Sequence, residues 1–109
     1  MHILDYQKLE ELFAANPTRL KLVLTTVQDR IPQWQEEIAT AMDSGDPKNI
    51  GTISHAIRGT AGTIRAERLE AAAGTWAEMA KRGKTAETTT AYQGLSTALQ
   101  ELADFIKHP

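Results

Sequence analysis

Apolar residues recur every three or four positions along almost all of this 109-residue chain, and no segment alternates apolar with polar. A spacing near 3.6 puts one stripe of a helix indoors, whereas a half-buried strand needs a period of two. The chain is thereby confined to helices packed on helices. Tyr6, Leu9, Leu12 and Phe13 mark a short first helix. Asn16-Pro17 then places a capping side chain before a proline at the first helical position. The stripe Leu20, Val23, Val27, Ile31, Trp34, Ile38 and Met42 runs straight through Pro32. That continuity predicts one long kinked helix rather than two, because an internal proline removes a single backbone bond. Ser44-Gly45 ends it, and Asp46-Pro47 repeats the cap-then-proline device.

The helix opened by Pro47 carries Ile50, Ile53, Ile57 and Ile64 on one side, with Thr60 and Ala61 filling the gap. Its end after Ile64 has no clear stop signal. A fourth stripe of Leu69, Ala72, Ala73, Trp76, Met79 and Ala80 closes at Lys81-Arg82-Gly83, basic residues followed by glycine. Thr85 is expected to cap a fifth helix bearing Tyr92, Leu95, Leu99, Leu102 and Ile106. Short connections predict antiparallel neighbours. The expected fold is all-α: an antiparallel up-down four-helix bundle with a short additional N-terminal helix, one domain over residues 1–109. Trp34 and Trp76 fall on apolar stripes and are expected in its core.

Composition narrows the function classes. There is no cysteine, which removes disulfides and thiolate metal sites. No apolar run approaches the roughly 20 residues that span a bilayer, so no membrane insertion is expected. The N-terminus has neither a basic start nor a long apolar core, so it does not read as a secretory signal, and a cytoplasmic location is expected. A formal net charge of −2 argues against nucleic-acid binding. Lys48, Arg58, Arg65, Arg68, Lys81, Arg82 and Lys84 nevertheless cluster in the middle of the chain, so an acidic partner is expected there. Asp5, Glu10 and Glu11 read as a solvated acidic face, and His2 and His108 are given no role.

His55 stands apart. On a helical wheel it points away from the isoleucine stripe, among Gly51, Thr52, Arg58, Gly59 and Gly62. Each glycine costs about 1 kcal/mol relative to alanine within a helix. The three together cost roughly 3 kcal/mol, against about 5–15 kcal/mol for the stability of a whole domain. Because these glycines lie opposite the stripe, they are expected to clear a surface for something outside rather than for a neighbouring helix.

The run His55-Ala56-Ile57-Arg58-Gly59-Thr60-Ala61-Gly62-Thr63-Ile64-Arg65-Ala66-Glu67-Arg68-Leu69 resembles the core of histidine-containing phosphotransfer (HPt) domains. Their pattern is His, any residue, an aliphatic, Lys or Arg, Gly, small residues, an aliphatic, often Gly-Ala, and a Leu three residues later. His55, Ile57, Arg58, Gly59, Thr60, Ala61, Ile64, Ala66 and Leu69 match it. The long proline-bearing helix before the histidine and the Ser44-Gly45-Asp46 turn extend the resemblance. Arg58 stands where lysine is commoner, and Arg65 where many members have glycine. The polar residue that often supports the histidine from the next helix is replaced by Ala77, with Glu78 one position on.

The resemblance implies a phosphorelay intermediate. His55 would accept a phosphoryl group from the aspartate of one receiver domain and pass it to the aspartate of another. Arg58 would stabilise the charge in transfer. Lys48, Gly51, Thr52, Gly59, Gly62 and Arg65 would form the docking face. The implied partners are response-regulator receiver domains and a hybrid sensor histidine kinase. The chain would be a monomeric carrier rather than an enzyme, needing no cofactor of its own, with Mg²⁺ on the receiver. No phosphate-cradling loop or nucleophile elbow is present to support independent catalysis. Two other classes compete: a helical adaptor using the same face without phosphate chemistry, and a small metal-binding bundle using His55. The second is weak, since no carboxylate or second His lies three or four positions from His55.

Overall fold

A computed structural model describes residues 3–14 and 16–107, without the side chain of Tyr6. His2, His108 and the place of Tyr6 in the first apolar stripe fall outside that description. Five helices follow in order: α1 (Tyr6–Leu12), α2 (Pro17–Ser44), α3 (Pro47–Thr63), α4 (Glu67–Lys81) and α5 (Thr85–Lys107). No strand occurs among the described residues. The long axis of 45 Å matches α2, whose 28 residues at about 1.5 Å each span roughly 42 Å. Contacts close a ring: α2 touches α3 and α5, α3 touches α4, and α4 touches α5, while α1 lies on α2.

The capping chemistry sets the boundaries. Asn16 accepts from the Arg19 amide and Asp46 from the Lys48 amide, each followed by proline in the first turn. Asp5, expected only as a solvated acid, caps α1 through the Lys8 amide. Pro32 lies within α2 on its exposed side, and the helix continues through it. Gly45 ends α2 in the left-handed conformation at φ 64°. Thr85 forms the first residue of α5 rather than preceding it.

The core is one cluster drawn from all five helices. Trp34 and Trp76 are both at or below 1 % exposure. The Arg30 guanidinium sits 5.5 Å over the Trp34 ring, and Trp76 meets Tyr92 at 6.2 Å between centroids. The stripes drift slightly from expectation. Leu24 and Ala41 are buried where Val23 and Met42 are only half-buried, and Leu12 is 52 % exposed.

The connection between α3 and α4 explains the missing stop signal. Both α3 and α4 close with the same paired bonds, Ala66 N–H to Ala61 O with Arg65 N–H to Gly62 O, and Lys84 N–H to Met79 O with Gly83 N–H to Ala80 O. The residue at the turning point is left-handed in each, Gly83 at φ 70° and Arg65 at φ 59°. For an L-residue that conformation costs roughly 1–2 kcal/mol. Arg65→Gly is therefore expected to raise stability by about 0.5–1 kcal/mol, after the added freedom of the unfolded glycine is deducted. Thermal unfolding followed by circular dichroism checks this; a melting temperature lowered by the glycine would contradict it.

Candidate functional site

His55 lies mid-way along α3 with its side chain exposed, on the side away from the buried Ile50, Ile57 and Ala61. Ile53, expected on the core stripe, is half-buried, and the turn around His55 is held down by Ser54 instead. Ser54 is 1 % exposed, and its hydroxyl donates to the Ala73 carbonyl of α4 at 2.6 Å. A buried hydroxyl without a partner costs about 1–3 kcal/mol, so this bond fixes the rotation of α3 against α4 directly beside the imidazole. Sequence reasoning missed Ser54; the one available hint is that it stands between Ile50 and Ile57 at helical spacing.

The surroundings of His55 divide into two sides. Toward solvent, a β-carbon added at Gly51 or Gly59 would meet no atom within 4 Å. Thr52 and Lys48 are exposed in the preceding turns, where the Thr52 hydroxyl donates to the Lys48 carbonyl. Gly62 does not belong with these two. A β-carbon there would stand 3.0 Å from Glu70 Oε2, so its bare face is turned toward α4 and not to open solvent. The helical wheel put all three glycines on one face, but α4 covers the last turn of α3 as the chain doubles back at Arg65.

Arg58 also turns toward α4. Its side chain passes over Gly74, where an added β-carbon would lie 3.7 Å from Arg58 Nε. Ala77 is half-buried against the core, and the Glu78 carboxylate accepts from Arg82 Nε at 2.8 Å. Neither provides a hydrogen bond to His55 from α4.

Charge is distributed by pairing. Arg68 bridges to Glu101 at 2.9 Å and Arg82 to Glu78 at 2.8 Å. These two cations of the central cluster are thus committed to α5 and α4 carboxylates. Along α3 the sequence holds Lys48, His55 and Arg58 and no Asp or Glu at all, with the exposed Arg65 just beyond its end. The formal charges that α3 itself carries are therefore positive, in a chain that is negative overall, while the carboxylates Glu67, Glu70 and Glu78 adjoin it from α4 beside Arg58. Among the described residues no group of three or more His, Asp or Glu side chains gathers as a metal-ligand set, and no helix is long and apolar enough to cross a membrane.

The described residues thus form an all-helical domain that presents one exposed imidazole on a helix without acidic residues, with open space over Gly51 and Gly59. The family model described as the Hpt domain matches residues 20–105, and the chain belongs to that family. The match begins in α2 and ends near the close of α5, so it includes every residue of the His55 surroundings and leaves α1 outside. Members of the family are phosphotransfer carriers of two-component signalling rather than enzymes in the ordinary sense. No curated protein and no solved structure matches the chain.

Proposed function

We propose that this chain is a phosphorelay intermediate with His55 as its phosphoryl acceptor. The observation that carries the reading is the exposed His55 on α3, with open space over Gly51 and Gly59 and only positive charge along the helix. The four long helices are taken to run alternately up and down. In support, the contacts among the described residues form a closed ring without diagonal pairs, and the connections 45–46, 64–66 and 82–84 are too short to cross the bundle.

In the first half-reaction the lone pair of a neutral imidazole nitrogen attacks the phosphorus of a receiver's aspartyl phosphate. A P–N bond forms, the acyl P–O bond breaks, and the aspartate leaves as a carboxylate with the electron pair. The second half-reaction reverses these steps on another receiver's aspartate. The attacking nitrogen must carry a free lone pair, and the exposed position of His55 leaves it open to a docked receiver. Arg58 supplies positive charge for the phosphoryl oxygens, and the receiver brings Mg²⁺ and its own acidic pocket. Lys48, Thr52 and Arg65 border the docking face with Gly51 and Gly59, and Gly62 lies at its α4 edge. The partners are response-regulator receivers and a hybrid sensor kinase, met by a cytoplasmic monomer.

Gly59→Gln separates docking from chemistry. The added side chain enters open space one turn beyond His55, so stability is expected to rise by up to about 1 kcal/mol through helix propensity. Transfer from a phosphorylated receiver is expected to fall, while phosphoramidate, which needs no docked protein, still phosphorylates His55. Receiver transfer at the unaltered rate would remove Gly59 from the interface.

A further inference from the structure

Gly74 lies in the middle of α4, a helix otherwise free of glycine, and the nearest atoms to its bare face all belong to the Arg58 side chain. A β-carbon at this position would stand 3.7 Å from Arg58 Nε and 3.9 Å from both Cδ and Cζ. The guanidinium end of Arg58 thus runs broadside across α4 backbone. Arg58 and Gly74 line a shallow depression together with Glu67, Glu70 and Glu78. Glu78 is taken by Arg82, Glu70 reaches toward Gly62, and no described carboxylate forms an ion pair with Arg58. Contact with the uncovered helix, not a salt bridge, therefore sets the course of this side chain. A long exposed arginine otherwise samples many rotamers, and lying along a surface narrows them.

We propose that Gly74 is a positioning residue for Arg58: the missing side chain leaves a track on α4 along which the guanidinium lies, holding its charge ready for a phosphoryl group on His55. This rests on the reading of His55 as acceptor and Arg58 as its cation. Alanine fits the track, because 3.7 Å is an ordinary van der Waals distance. Leucine does not, because the atoms beyond its β-carbon fall in the volume that Arg58 occupies, and the guanidinium is pushed off α4.

The test is a double-mutant cycle on transfer rate, using a receiver domain charged with acetyl phosphate. Gly74→Ala is expected to transfer like the unaltered protein. Gly74→Leu is expected to slow transfer by about tenfold, as Arg58→Ala does, the loss of one charge-assisted hydrogen bond. Gly74→Leu added to Arg58→Ala should change nothing further, and its melting temperature should not fall. Gly74→Met gives the same comparison should leucine impair folding. Three results would overturn the inference: unaltered transfer in Gly74→Leu, unaltered transfer in Arg58→Ala, or a further loss when both are combined, which would mean that residue 74 acts through packing or docking. If the unaltered protein takes no phosphate on His55, the assignment of the site itself fails, and that outcome is distinct from all three.

Discussion

His55→Gln is expected to abolish phosphoryl uptake completely and to leave the bundle as stable as before, within about 0.5 kcal/mol. The first half follows from chemistry: the glutamine amide has no basic nitrogen lone pair to attack phosphorus. The second follows from position. His55 is exposed, and its turn is anchored by its neighbours Ser54, through the Ala73 carbonyl, and Ile57, which is fully buried. Phosphate incorporation and thermal melting on the same preparation check both halves. Phosphate retained by the variant would place the acceptor elsewhere, and a large drop in melting temperature would show that the imidazole supports the core.

Trp76→Ala is expected to have the largest effect on stability. The Trp76 side chain is fully buried, follows Ala73 by one turn, and packs against Tyr92 of α5. It joins α4 to α5 in the core. Truncating a buried tryptophan to alanine costs about 3–5 kcal/mol through lost transfer energy and the cavity left behind. In a domain of this size that lowers the melting temperature by at least about 12 °C. Chemical denaturation with tryptophan fluorescence from Trp34 measures it. A cost below about 1 kcal/mol would mean that α4 and α5 repack freely, contrary to the tight ring of helices described above.

Much of this architecture is written in periodicity. The stripe through Pro32 identified one helix correctly because the apolar phase is unbroken across it, which two separate helices would have no reason to maintain. Asn16-Pro17 and Asp46-Pro47 marked helix starts because their chemistry is local. What escaped was set by neighbours distant in sequence. The end of α3 gives no signal because Arg65, a good helix former, is held left-handed by the pair of bonds at residues 61–66. Gly59 and Gly62 look equivalent on a wheel, yet one faces solvent and the other Glu70, and only the path of α4 distinguishes them. The buried place of Ser54 depends on its acceptor, the Ala73 carbonyl of α4, which no local pattern announces. Arg58 pointed the right way at its α-carbon, but a side chain of that length is steered by what it lands on, and Gly74 is sixteen residues away. The exposed His55 itself was legible, since opposition to a buried stripe is a property of one helix alone.

Phosphoryl transfer to His55 from a receiver is the central claim, and it has a direct measurement. The chain is incubated with a panel of receiver domains charged with acetyl phosphate, then digested, and the phosphorylated peptide is located by mass spectrometry under alkaline conditions that preserve phosphohistidine. The expected result is rapid, acid-labile, alkali-stable phosphate on the peptide containing His55, with the matching loss of phosphate from at least one receiver. No phosphate on that peptide with any receiver, or phosphate on a different residue, would contradict it; receivers that bind the α3 face without transferring would identify the chain as an adaptor built on the same bundle.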